Sequence, residues 1–163
     1  MSIQPRAGFD PTIYITLFAD ASYCPSTNAY GWCWWLKYGN PAKTEVGVGG
    51  GAFMRGSAQA ETEALKAGIA FVRTSLKEAL KGKRVVIQSD CLGALEAIQS
   101  DLAELRRDGA QAAYVKHVKG HQGHKTARNS VNTLCDRKAR EQMKIWRQKA
   151  YASTERKPAP RGF

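Results

Sequence analysis

The hydrophobic period of this chain first changes to that of a helix between Met54 and Ala60, and that change restricts the fold more than any other feature. Before it, apolar residues alternate. Residues 13–20 (Ile-Tyr-Ile-Thr-Leu-Phe-Ala-Asp) read as a strand ending at Asp20, followed by a polar turn from Ser22 to Asn28 with Pro25 inside it. Residues 31–38 form a second predicted strand, closed by Gly39-Asn40-Pro41, and residues 43–54 a third, loosened by Gly47 and the Gly49-Gly50-Gly51 run. Three consecutive strands with short turns suggest an antiparallel meander. From Ala60 to Leu80 the apolar residues Leu65, Ile69, Val72, Leu76 and Leu80 recur at helical steps, and Gly82 is placed to stop the run. Val85 to Ser89 is a buried strand ending at Asp90. Strand, long helix and strand make a crossover unit, so this fourth strand should lie parallel to an earlier one. A helix over 92–107, a fifth strand over 114–118, a basic loop over 119–129 and a last helix over 130–150 complete the pattern.

Composition decides the class. The 163 residues, 43% hydrophobic with four Trp, six Tyr and five Phe, suit one folded domain rather than a disordered chain. We expect that domain over residues 12–150, with residues 1–11 as an extension and residues 151–163 as a basic tail without fixed structure. No apolar run approaches the roughly 18 residues a membrane span requires, and no secretory signal is readable, so a cytoplasmic protein without membrane partners is expected. Cys24, Cys33, Cys91 and Cys135 contain no C-x-x-C pair and read as free, mostly buried thiols. The net charge of +11 is concentrated: residues 116–163 hold 13 basic and 3 acidic side chains. Such a surplus on a folded domain favours a polyanion, nucleic acid first. With no heptad run, a monomer is expected.

Four acids stand out by position. Asp20 and Asp90 follow strands, and groups beyond the carboxyl ends of parallel strands share one crevice. Glu61 opens the first long helix and Asp136 lies early in the last one. Each alone has an ordinary reading: a strand-end Asp caps turns, and a Glu in a first helical turn favours the macrodipole. Together they would repel unless cations joined them, and all-oxygen ligands suit Mg²⁺ or Mn²⁺ better than zinc. A zinc site on His117, His121 and His124 is disfavoured, because one falls in a strand and two in a Gly-flanked loop. Trp32 and Trp34 alternate onto one face and Trp35 onto the other, as core residues would.

The ordered set resembles type 1 ribonuclease H. Its elements here are Asp20-Ala21-Ser22-Tyr23-Cys24, Ala60-Glu61-Thr62-Glu63-Ala64-Leu65, Ser89-Asp90, Val118-Lys119-Gly120-His121-Gln122-Gly123-His124, and Asn132 four residues before Asp136. The likeness covers about residues 12–145. It implies an α/β (mixed α+β) ribonuclease H-like fold, with a five-stranded mixed sheet of three antiparallel strands and parallel crossover strands, flanked by helices. It also implies hydrolysis of the RNA strand of RNA–DNA hybrids, leaving 3′-hydroxyl and 5′-phosphate ends. By position, Asp20, Glu61, Asp90 and Asp136 would hold two Mg²⁺ ions, or Mn²⁺, and His121 would move protons or help product leave. Glu63 rivals Glu61; the family's Ala-Glu-x-x-Ala-Leu spacing favours Glu61. Ser22, Ser57, Gln59, Lys125, Arg128, Asn132 and Lys138 are the nucleic-acid-binding candidates.

Three departures matter. Ser57-Ala58 stand where the family has amides that read the RNA strand, residues 92–114 have room for one helix and no basic handle, and the loop between His121 and Asp136 is long and adds Lys125 and Arg128. Arg137, Lys138, Arg140, Lys144, Arg147 and Lys149 offer a substitute grip on the last helix. A DNA nuclease or resolvase on a related fold, and a non-catalytic nucleic-acid-binding module, are the competing readings.

Overall fold

The computed structural model describes residues 13–119 and 127–155. In chain order the elements are β1 (Tyr14–Tyr23), β2 (Tyr30–Tyr38), β3 (Lys43–Gly51), α1 (Ser57–Ser75), α2 (Lys77–Leu80), β4 (Arg84–Ser89), α3 (Leu92–Ala97), α4 (Gln99–Arg107), β5 (Ala112–His117) and α5 (Ala127–Glu155). The strands form one sheet in the order β3-β2-β1-β4-β5. β1, β2 and β3 pair antiparallel, as hairpin connections dictate, while β4 joins β1 and β5 joins β4 in parallel through helical crossovers. This is the expected five-stranded mixed sheet flanked by helices. No described helix is long and apolar enough to cross a membrane.

Alternation along the strands produces two cores. Ile15, Leu17, Ala19, Trp34, Leu36, Val85 and Ile87 face one way and pack on Leu65, Ile69 and Val72 of α1 and Leu95, Leu102 and Leu105 of α3 and α4. Phe18 and Cys33 face the other way, against Cys135 and Ala139 of α5, with Trp35 beside them. The tryptophans thus divide between the faces as alternation requires. Trp34 lies across β3: a Cβ on Gly47 would come within 2.4 Å of three atoms of its indole, and one on Gly49 would meet the Trp32 ring at 2.3 Å. The glycines that weaken β3 as a strand are the room for the indoles of its neighbour.

Boundaries depart from the sequence reading where tertiary contacts outweigh local pattern. β1 continues three residues past Asp20, because its antiparallel pairing with β2 runs on to Tyr23 opposite Tyr30 after β4 has stopped. Asp20 is therefore inside a strand, not at its end. α1 starts at Ser57, so Glu61 sits in its second turn and the macrodipole argument does not apply to it. The chain breaks at Leu76, and the short α2 lets Leu76 and Leu80 both reach the core. The single helix expected over 92–107 is two, divided at the fully buried Ile98, where the Gln99 amide donates to the Leu95 carbonyl that the break leaves open (3.0 Å). β5 begins at Ala112 rather than Tyr114. Gly82 (φ +75°) and Gly109 (φ +114°) adopt the left-handed backbone that ends the runs before them. α5 runs from Ala127 to Glu155, longer at both ends than expected, so the first residues assigned to the tail are helical. Among the described residues the four cysteines are free thiols, three of them buried, and the Cys33 and Cys135 sulfurs stand 3.5 Å apart between β2 and α5.

Candidate active site

Parallel pairing brings two of the acids together. β1 and β4 run in register from Tyr14 opposite Arg84 to Phe18 opposite Gln88, and two residues further along each chain stand Asp20 and Asp90. Since β4 ends at Ser89, β1 is open on that side beyond this point. The Ala21 N–H donates there to the Asp20 Oδ1 (2.9 Å) and to the Glu61 Oε1 (3.2 Å). Glu61 arrives from α1, whose buried stripe (Ala60, Ala64, Leu65, Gly68) docks on the sheet and carries this carboxylate, 8% exposed, to the end of β1. One carboxylate oxygen from each of Asp20, Glu61 and Asp90 lies within 4.8 Å of the others.

Three carboxylates this close resist ionisation. Burial, then the charges of Asp20 and Asp90, hold the Glu61 carboxyl well above the usual carboxylate range. Burial, with the charges of Asp90 and Asp136, pushes Asp20 up as well. The Glu61 Oε2 is buried with no hydrogen-bond partner among the described residues, an arrangement that costs free energy unless a cation or proton meets it. The donor set is all oxygen, negatively charged and short of donors. It fits a hard divalent cation such as Mg²⁺ or Mn²⁺.

The other expected residues are placed less uniformly. Asp136 is near enough for its charge to act on Asp20, yet it is outside the close triad; its Oδ2 accepts from the Arg140 Nη2 at 2.8 Å. Arg140, a candidate for gripping nucleic acid, is thus occupied one turn along α5. Glu63 turns away from the triad toward Tyr30; burial, then the hydrogen bond and charge of Glu63, push the Tyr30 hydroxyl up. Ser22 lies on β1 past Asp20, opposite Gly31. Ser57 and Gln59 are exposed in the first turn of α1, Asn132 is buried on α5 one turn before Asp136, and Lys138 is half-buried near the Cys33–Cys135 contact. His121 and Lys125 fall outside the described residues, as does the side chain of Arg128.

A histidine that sequence spacing disfavours as a zinc ligand stands beside the triad. His117 ends β5 opposite Ser89, and its Nε2 donates to the Asp90 carbonyl at 3.0 Å. Ser89 completes the brace: its carbonyl accepts from the Val118 N–H (3.0 Å) and its Oγ from the Cys91 N–H (3.1 Å). The β4–β5 pairing is the signal that locates His117, since a histidine opposite the last residue of β4 must stand beside Asp90. His117→Ala is expected to weaken Mn²⁺ binding roughly 10-fold, as loss of outer supporting groups does, while His117→Gln, which keeps a donor, restores it. Calorimetric titration measures both; unchanged affinity in His117→Ala would show that Asp90 needs no brace.

No protein-family model matches the chain, and no curated protein matches it in sequence. Solved structures do. The N-terminal RNase H domain of a Mycobacterium tuberculosis protein, solved as a fusion with maltose-binding protein, superimposes with a TM-score of 0.59 at 16% identity, covering 85% of this chain and 99% of that one. LC11-RNase H1 in complex with an RNA/DNA hybrid gives 0.61 at 12% identity, over 80% of this chain and 97% of that one. RNase H1 from the halophilic archaeon Halobacterium salinarum NRC-1 gives 0.52 at 16% identity, over 81% and 98%. The chain has the ribonuclease H-like fold.

Proposed function

We propose that this protein is a metal-dependent endoribonuclease that hydrolyses the RNA strand of RNA–DNA hybrids, leaving 3′-hydroxyl and 5′-phosphate ends. The observation that carries the reading is the convergence of Asp20, Glu61 and Asp90 at the β1–β4 crevice of this fold. The similar structure solved with an RNA/DNA hybrid supports the substrate class.

In this reading Asp20, Glu61, Asp90 and Asp136 hold two Mg²⁺ ions, or Mn²⁺. When bound, such a pair supplies an activated water and stabilisation of the departing oxygen. The remaining work belongs to the chain. Asp20 and Asp90 come from adjacent strands of a rigid sheet, so their separation is set by register rather than by loop motion. The Arg140 guanidinium donates to the Asp136 Oδ2 and biases its orientation. Ser57, one turn before Glu61, and Gln59, two residues before it, are exposed in the first turn of α1 and present a hydroxyl and an amide to ribose 2′-hydroxyls. Ser22, Asn132 and Lys138, together with Lys125 and Arg128, contact the hybrid backbone, and His121 moves a proton or helps product leave.

Labelled RNA–DNA hybrid, duplex DNA and duplex RNA, each with and without Mg²⁺, test the proposal. Cleavage confined to the RNA of the hybrid and dependent on Mg²⁺ is expected. Cleavage of DNA alone would replace the reading with a DNA nuclease, and binding without cleavage with a non-catalytic module.

The grip proposed for α5 has its own measurement. Lys144 and Lys149 are exposed and Arg147 half-buried on the part of the helix beyond Met143, with the Lys149 Nζ 4.3 Å from the Trp146 ring centroid. Replacing all three with Ala should reduce the slope of log K against log salt for hybrid binding by up to about 2.7, or 0.9 per lost phosphate contact, and leave the rate at saturating hybrid unchanged. An unaltered slope would mean that this face is merely solvated.

A further inference from the structure

The sheet carries a second site that the carboxylate chemistry does not use. α5 lies across β2, β1 and β3, and on the same side of the sheet a groove of about 670 Å³ opens over β1, β4 and β5. Strand register builds its floor. Lys37, Thr16, Val86 and Tyr114 stand side by side across β2, β1, β4 and β5, and Gln88 and Lys116 form the next row toward the active-site end. Tyr14 lies below Thr16 on β1. Its side chain hydrogen-bonds Tyr114, which is 37% exposed despite its place on a sheet face. Among the described lining residues there is no carboxylate; the charged ones are Lys37 and Lys116, both exposed. Phe18, buried with Val118 and Cys135, separates the groove from Asp20.

Cations on opposite walls, an apolar and aromatic floor between them and amide groups along it are what an unpaired nucleic-acid strand requires. Three strand spacings across the sheet and one two-residue step along it put the two lysines roughly 16 Å apart, a span covered by a few extended nucleotides. Every base has a face to lay on a tyrosine, so the contact tolerates any sequence. A duplex would hide its bases from the floor. We propose that the open face of β1, β4 and β5 is a single-strand-binding groove, in which Tyr14 and Tyr114 stack bases while Lys37 and Lys116 hold phosphates. It stands on its own geometry, independent of the proposed cleavage.

The test uses the full chain in EDTA, with fluorescein-labelled oligo(U) and oligo(dT) of about 12 nucleotides, a length within the range of single-strand sites, and a blunt RNA–DNA hybrid of the same length. Anisotropy should show binding of both oligonucleotides, and any preference between them identifies RNA or DNA as the favoured source. Tyr114→Ser should weaken single-strand binding about tenfold while Tyr114→Phe keeps it. Joint replacement K37Q and K116Q should flatten the single-strand salt slope by roughly 1.4. Hybrid affinity should stay within about twofold in each variant, which also shows that the fold persists. Single-strand affinities unchanged in these variants, weakening shared equally with the hybrid, or no oligonucleotide binding at all would overturn the proposal. Failure of hybrid cleavage would remove the proposed enzyme and leave these binding results standing.

Discussion

Asp90→Asn should reduce hybrid cleavage on the order of 10³-fold, about 4 kcal/mol of transition-state stabilisation, while making the metal-free protein more resistant to unfolding at neutral pH. The two effects have one cause. Asp90 adds negative charge to a crevice where Asp20 and Glu61 are already held above their ordinary range. A carboxyl raised in the folded state binds more protons folded than unfolded, so the stability of the metal-free fold falls as pH rises above the ordinary carboxylate range of about 4. This reverses the usual acid-denaturation behaviour of paired carboxylates. Replacing Asp90 with a neutral isostere removes one of the charges responsible, so the decline should be shallower. Thermal unfolding of both proteins in EDTA at pH 5 and pH 8 measures the difference between their slopes. Mg²⁺ should restore wild-type stability at pH 8 and act more weakly on the variant. A variant that cleaves normally, or a wild-type protein whose stability rises over this interval relative to the variant, would remove the triad from its assigned role.

The largest structural effect is expected at Gly31. It pairs with Ser22 on one side and Gly50 on the other, at the turn end of the hairpin that carries Asp20. α5 lies directly on it: a Cβ there would be 2.3 Å from both the Ala139 carbonyl oxygen and the Met143 backbone nitrogen. These atoms are one turn apart in helix backbone, so no side-chain rotation relieves the clash and the helix must lift. Gly31→Ala should therefore cost at least about 2 kcal/mol, read as a lower denaturation midpoint. It should also lower activity, because Asp136 rides on the same helix. Gly68 supplies the contrast. A Cβ there would meet the end of the Leu17 side chain at 2.6 Å, an atom that can move, and Ala gains up to about 1 kcal/mol of helix propensity over Gly. Gly68→Ala should be close to neutral. Equal costs at the two positions would refute direct backbone docking of α5.

Local and tertiary signals reside in different parts of this chain. Alternation and helical spacing are local, so the succession of strands and helices along the chain, the change of period and the division of Trp32, Trp34 and Trp35 between faces were all legible. Helix breaks at Leu76 and Ile98 were not, because both residues fit the apolar period and only the surrounding core decides that the chain bends there. Glu61 and Glu63 share the same local setting. Residues two apart on a helix point to different sides, and the docking of α1 turns Glu61 toward Asp20 and leaves Glu63 beside Tyr30. His117 beside Asp90 and the row from Lys37 to Tyr114 each depend on pairing between segments far apart in the chain.

The sequence alone therefore determined the succession of strand and helix segments, though not their breaks, together with the acids and the basic C-terminal third, since these depend on residue types at fixed local intervals. Tertiary structure decided which acids meet. The in-register pairing of β1 with β4 carries Asp20 and Asp90 into one crevice, α1 adds Glu61, and α5 keeps Asp136 at the margin. No local interval encodes that distance, because it is set by how the sheet pairs and by which helix face the core will bury.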